Sequence, residues 1–171
     1  MNIRLSKLSD LDALMPIFDE ARRTIATLGI DQWQNGYPSS NVIEADIHKN
    51  QSYCVEIDDT ICATFALIDD GEPTYDRIYD GHWLTGDDSH SYVAVHRVAI
   101  SVSHRGRGIA PAVIDYVADV ARQLGRKSIR IDTHRGNAVM RRMLEKNGFC
   151  CCGVILLSDG DERVAYEKVI K

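Results

Sequence analysis

The stretch Val98-Ala99-Ile100-Ser101-Val102-Ser103-His104-Arg105-Gly106-Arg107-Gly108-Ile109-Ala110-Pro111 decides how the rest of the chain is read. Upstream, Tyr92, Val93, Val95, Val98 and Ile100 form a β-type run; downstream, Ala110, Val113, Ile114, Val117, Ala121 and Leu124 recur on one helical face. The stretch is therefore a strand, a turn and a helix. Gly106 and Gly108 lack a Cβ, which opens positive φ to the backbone and lets a ligand lie against it. Pro111 suits the first helical turn, where its missing N–H costs nothing. Free N–H groups at a helix start sit at the positive end of the helix dipole, and Arg105 and Arg107 add full charges beside them. The turn reads as a diphosphate cradle.

Known glycine-rich loops narrow the ligand. A P-loop needs G-x-x-x-x-G-K-S/T, and no such string occurs. A dinucleotide fingerprint needs G-x-G-x-x-G, which Gly106-Arg107-Gly108-Ile109-Ala110-Pro111 breaks at its third glycine. The pattern R-x-x-G-x-A, met by Arg105, Gly108 and Ala110 after an apolar strand, resembles motif A of the GNAT-type N-acetyltransferases, whose turn wraps the pyrophosphate of coenzyme A. Asn137-Ala138-Val139-Met140-Arg141-Arg142-Met143-Leu144-Glu145-Lys146-Asn147-Gly148-Phe149 resembles the later helix of that family, with its opening Asn and closing Gly-Phe, and a strand from Ser128 to Thr133 separates the two segments. There is one departure. Many members carry a Tyr late in this helix, thought to protonate the departing thiolate, where this chain has Leu144.

The resemblance implies direct transfer of acetyl from acetyl-CoA, as cosubstrate and without a metal, to a primary amine of a small molecule or peptide. It places cofactor contacts on Val98, Ile100, Arg105, Gly106, Arg107, Gly108, Ile109 and Ala110, while Asn137 reads equally as a cofactor contact or a plain helix cap. His96, one pleat repeat before Val98 on the same strand face, is the candidate general base; His134 and Glu56 are weaker alternatives, and a hydrogen-bonded strand histidine without a role is the bland reading. Trp33, Tyr37, Trp83 and Tyr166 are candidates for the acceptor site, with Trp33 and Tyr37 equally readable as plugs at the edge of the core. Tyr166 or water is the substitute for the missing Tyr acid. The alternative function is a non-catalytic acyl-CoA-binding or degenerate GNAT regulatory protein, which Leu144 favours. A homodimer is in keeping with the family.

Composition agrees. The chain has 171 residues, 44% hydrophobic and 26% charged, the balance of an ordinary globular domain, and the absence of repeats or linkers points to a single domain over 1–171. No apolar run approaches membrane-spanning length, and Met1-Asn2-Ile3-Arg4-Leu5 leads into folded pattern without a signal peptide, so a cytoplasmic location is expected. Five cysteines, Cys54, Cys62, Cys150, Cys151 and Cys152, show no C-x-x-C spacing and read as reduced core thiols. Net charge is −5, yet His104 to Lys146 holds ten Lys and Arg against four Asp and Glu. That basic half suits a polyanionic coenzyme; a nucleic acid would call for a recognition motif or interleaved aromatics, which are missing.

The remaining pattern gives β (2–5), α (about 9–28, kinked or shortened by Pro16), α (41–49), a hairpin (53–57, 61–68) turned at Asp58-Asp59, and a closing hairpin (149–157, 163–170). The segment 69–91 has no period and seven acids against Arg77 alone, and is expected to be a semi-ordered flap drawing in cationic amines. The expected fold class is α/β (α+β): a GNAT-like mixed, mostly antiparallel sheet of six to seven strands with helices on both faces.

Overall fold

The computed structural model describes all residues from Met1 to Lys171. Its strands are β1 (Asn2–Leu5), β2 (Ser52–Ile57), β3 (Thr60–Ile68), β4 (Tyr92–Ile100), β5 (Ser128–Thr133), β6 (Cys150–Leu156) and β7 (Glu162–Val169), and its helices are α1 (Leu11–Ala26), α2 (Ser40–His48), α3 (Ile109–Gln123) and α4 (Ala138–Lys146). The strands form one seven-stranded sheet in the order β1-β2-β3-β4-β5-β7-β6. The sheet is open and mostly antiparallel, with β4 and β5 running parallel. No helix is long and apolar enough to cross a membrane.

The chain divides into two compact units, Met1–Leu67 with Arg97–Val113, and Ile68–His96 with Ile114–Lys171. In the first, α1 buries Leu14, Ile17, Phe18, Ala21 and Ile25, and the first four of these join Ile43, Ile47, Cys54 and Ala99 in one core cluster. Pro16 neither ends nor shortens α1, which runs on to Ala26. Asp10, just before the helix, is tied to the chain ahead of it: its carboxylate accepts from Lys7 N–H at 2.7 Å and from Arg4 Nη1 at 2.7 Å. The β2–β3 hairpin turns at Asp58 (φ 49°) and Asp59 (φ 60°), left-handed conformations that Asp tolerates better than most residues.

In the second unit Tyr75, Trp83, Tyr92, Ala94, Cys152, Ile155 and Ala165 share a core. The segment 69–91 is therefore not a flap: it supplies two of the largest buried rings, Tyr75 and Trp83, 5.3 Å apart between centroids. Its backbone lies against β6, where Tyr79 and Val154 exchange N–H···O bonds of 2.8 Å and His82 N–H donates to Cys152 O at 3.0 Å. Closeness requires glycine here, since a Cβ on Gly81 would stand 1.9 Å from the Cys152 carbonyl oxygen. Its ends are held by Arg126, whose Nη1 donates to His90 O at 2.6 Å and Nη2 to Asp69 O at 2.9 Å. Of the cysteines, Cys54, Cys62 and Cys152 are buried as expected, whereas Cys150 and Cys151 are exposed, because a bulge after Cys151 breaks the alternation of β6 at the edge of the sheet.

Candidate functional site

The glycine turn lies in the first unit. β4 ends at Ile100, a short 3₁₀ turn spans Val102–His104, and Gly106 (φ 77°) and Gly108 (φ 76°) lead into α3 at Ile109. Both glycines use the left-handed region, and nothing lies within 4 Å of where a Cβ would stand on either, so the turn is open at both positions. Neighbouring contacts hold the turn: Val102 N–H donates to Glu20 Oε2 at 2.7 Å, Arg105 Nη2 to Thr24 Oγ1 at 3.0 Å, and the Ser101 and Ser103 hydroxyls pair at 2.9 Å. Arg105, Gly106, Arg107 and Gly108 are exposed, Val98, Ile100 and Ala110 half-buried, and Ile109 buried. An open turn, a helix N-terminus and two exposed guanidinium groups suit a diphosphate.

His96, in the second unit, is half-buried among groups that sequence spacing did not bring together. Its Nε2 lies 3.0 Å from Glu72 Oε2, within ion-pair distance but outside hydrogen-bond geometry, and its Nδ1 lies 3.8 Å from Asp132 Oδ1. Tyr75 O–H donates to that same Asp132 oxygen at 2.7 Å, and the Tyr75 and His96 rings stand 5.7 Å apart. Burial works to raise the Glu72 carboxyl, but His96 and Thr74 outweigh it and bring its pKa down to about 2. Burial, with the Asp132 charge behind it, drives the Tyr75 phenol well above its ordinary value, so it is a fixed donor. The β4–β5 ladder pairs only Tyr92–Ala94 with Ser128–Arg130, although both strands continue, so the pairing stops just before His96.

The other expected residues are placed unevenly. Trp33 (φ 63°) packs edge-on between Phe18 and Tyr37, at centroid distances of 6.1 and 6.3 Å, against the first unit's core. The Tyr37 hydroxyl accepts from Arg97 Nη1 at 2.8 Å, and Arg97 also grips Asp46 through Nε at 2.7 Å and Nη2 at 2.9 Å. Trp83 is a core residue, 3% exposed, with its indole N–H donated to Tyr75 O and its face against Arg130. Tyr166 is buried; its hydroxyl accepts from Arg141 Nε at 3.0 Å and donates to Glu145 Oε1 at 3.1 Å. Leu144 is buried at 1% exposure, and Asn137 caps α4 by accepting from Met140 N–H at 3.1 Å. Of the weaker alternatives for a base, Glu56 is held by Arg4 and Asn2, and His134 Nδ1 accepts from Gly136 N–H within a turn. No cluster of three or more His, Cys, Asp and Glu side chains is arranged to hold a metal.

Comparison with known proteins identifies the family and the fold. The sequence model described as Acetyltransferase (GNAT) family matches residues 13–149. A GNAT-family acetyltransferase structure from Streptococcus agalactiae 2603 shares 38% identity over 99% of this chain and 95% of its own, at a TM-score of 0.88. The PaiA N-acetyltransferase of Thermoplasma acidophilum, in complex with coenzyme A, shares the fold at 18% identity, 98% coverage of both chains and a TM-score of 0.71. So does a ribosomal-protein-alanine N-acetyltransferase from Brucella melitensis, at 17% identity, 99% and 100% coverage and a TM-score of 0.69. No curated protein matches the sequence.

Proposed function

The chain belongs to the GNAT acetyltransferase family, and on that premise we propose that it transfers the acetyl group of acetyl-CoA to the nitrogen of a primary amine, on a small molecule or a peptide. The observation that carries the amine reading is His96 held beside Glu72, a base in reach of solvent on the strand that leads into the open glycine turn. Acetyl-CoA supplies an activated thioester, and the CoA-bound Thermoplasma relative supports its use here. Backbone N–H groups from Gly106 to Ala110 with Arg105 and Arg107 would hold its diphosphate; Val98 and Ile100 would pair with the pantetheine arm, the Val98 N–H polarising the carbonyl.

An alkylamine with a pKa of ~10.4 is almost wholly protonated at neutral pH and must lose a proton before it attacks. His96 takes that proton. For the departing thiolate, Leu144 offers no hydroxyl, and Tyr166 is a poor donor because burial raises its pKa and its hydrogen is already given to Glu145. A thiol of pKa ~8.5 leaves tolerably as its anion, so no residue is assigned as the acid. In this reading the enzyme works in the cytoplasm, and Trp33 and Tyr37 border the acceptor.

Calorimetric titration with acetyl-CoA and with NADH, followed by thiol release on adding polyamines, amino acids and peptides, tests the reading. Acetyl-CoA binding with acceptor-dependent release is expected. Binding without release from any acceptor would favour a non-catalytic acyl-CoA-binding protein, and absence of acetyl-CoA binding would remove the cradle assignment. Arg105→Ala with Arg107→Ala should weaken coenzyme A binding by about tenfold or more, with a shallower salt dependence than the wild type, since the variant has lost two charges that salt would screen.

A further inference from the structure

We propose that Glu72 is a positioning residue for acetyl transfer: its carboxylate keeps the hydrogen of neutral His96 on Nε2, so that Nδ1 is the atom that receives the acceptor's proton. The inference rests on the acetyl-transfer reading for its consequence, but its geometry stands apart from it. The two Glu72 oxygens are divided. Oε1 accepts from Thr74 N–H at 3.2 Å and from the Thr74 hydroxyl at 2.9 Å, which leaves Oε2 to face His96 Nε2 at 3.0 Å. A carboxylate only accepts, so the neutral ring lowers its energy by carrying its hydrogen on the nitrogen that faces it. Nε2 is buried and faces Glu72, which leaves Nδ1 as the nitrogen for a new partner.

Nδ1 also makes no hydrogen bond of its own. Asp132 Oδ1, at 3.8 Å, is too distant for a direct bond and already accepts the Tyr75 hydroxyl at 2.7 Å. The titratable groups around the ring are therefore Glu72 from the 69–91 segment, Tyr75 from the turn that follows it, and Asp132 from β5. When the acceptor's N–H⁺ bond breaks and the proton reaches Nδ1, the imidazolium has a carboxylate beside each nitrogen. Glu72 is also carried rigidly: its N–H donates to the Tyr92 hydroxyl at 3.1 Å, and Arg126 closes the segment at Asp69 and His90.

Glu72→Gln makes the idea testable in a particular way. Thr74 N–H and O–H will still seek an acceptor, so the amide oxygen takes the Oε1 place and the NH₂ faces Nε2. A donor there forces the ring hydrogen onto Nδ1. Nitrogen-15 spectra of the protein labelled at histidine, with no acceptor or cofactor added, should show the Nε2–H form in the wild type and the Nδ1–H form in Glu72→Gln. Turnover of the best amine found should fall by roughly 100-fold, mainly in kcat, on the scale of lost base catalysis, and Glu72→Asp should recover part of it. An unchanged tautomer in Glu72→Gln would overturn the proposal, and so would a switched tautomer with undiminished kcat. If the wild type turns over no amine at all, the acetyl-transfer reading falls and the catalytic use of Nδ1 with it, while the spectra alone still decide whether Glu72 sets the ring.

Discussion

Two carboxylate networks within the second unit invite comparison, because both join the 69–91 segment to the sheet and they are finished differently. In the first, Glu167 and Arg130 are both fully buried, at 0% exposure. Glu167 accepts from Arg130 Nε at 3.0 Å, from the Ser128 and Thr85 hydroxyls, and from Leu84 N–H. Arg130 Nη1 has no acceptor; its charge is held between the Trp83 and Tyr92 rings, 4.2 and 4.0 Å from their centroids. In the second network His96 and Glu72 stay partly exposed, their contact is poorly aligned, and Nδ1 makes no hydrogen bond. A group that must exchange a proton cannot have every site taken. The first network is closed to solvent, and the second keeps the partial exposure that the proposed proton transfer needs.

Stability measurements sharpen or break that contrast. The largest effect is expected from Glu167→Ala, which strands a buried guanidinium and the Leu84 and Thr85 donors; denaturant unfolding should show a loss of about 3–5 kcal/mol. A loss below about 1 kcal/mol would mean that the network is not sealed. Acid titration should give the next effect. Glu72 has its folded pKa depressed to about 2 from 4.5, so its stabilisation is present above about pH 4.5 and disappears as pH falls toward 2. Glu167 acts in the same direction, since hydrogen bonds from Ser128, Thr85 and Arg130 outweigh its burial. Glu72→Gln should therefore flatten part of the acid limb of the stability curve, and an unaltered limb would show that Glu72 is not held by His96. The smallest change in stability, within about 1 kcal/mol, is expected for His96→Gln, although kcat should fall by roughly 10²–10⁴-fold. Heavy destabilisation with little change in kcat would reverse the roles given to the two networks.

Much of the fold was legible from local pattern. The strand, turn and helix around Gly106 and Gly108, the hairpin at Asp58-Asp59, the Asn137 cap and the double-sided apolarity of β3 each rest on residues close together in the chain. The small effect of Pro16 on the length of α1 was not, since packing of Leu14, Ile17 and Phe18 against the core outweighs the hydrogen bond that proline removes. The exposure of Cys150 and Cys151 goes with a bulge between Cys151 and Gly153, for which the glycine inside the strand was the one local signal.

The sequence by itself determined the strand, the glycine turn and the helix that follows it, because glycine conformations, helix starts and hydrophobic periods act over a few residues. Only the tertiary structure decided what surrounds His96. Glu72, Tyr75 and Trp83 lie in a segment with no period, and nothing local distinguishes an acid that will meet a histidine across the fold from one that will face water. Trp83 became core and Glu72 became the partner of His96 through closeness at Gly81 and the anchoring of Leu84 and Thr85 on Glu167, contacts between residues far apart in the chain. Such contacts exist only once the sheet has formed.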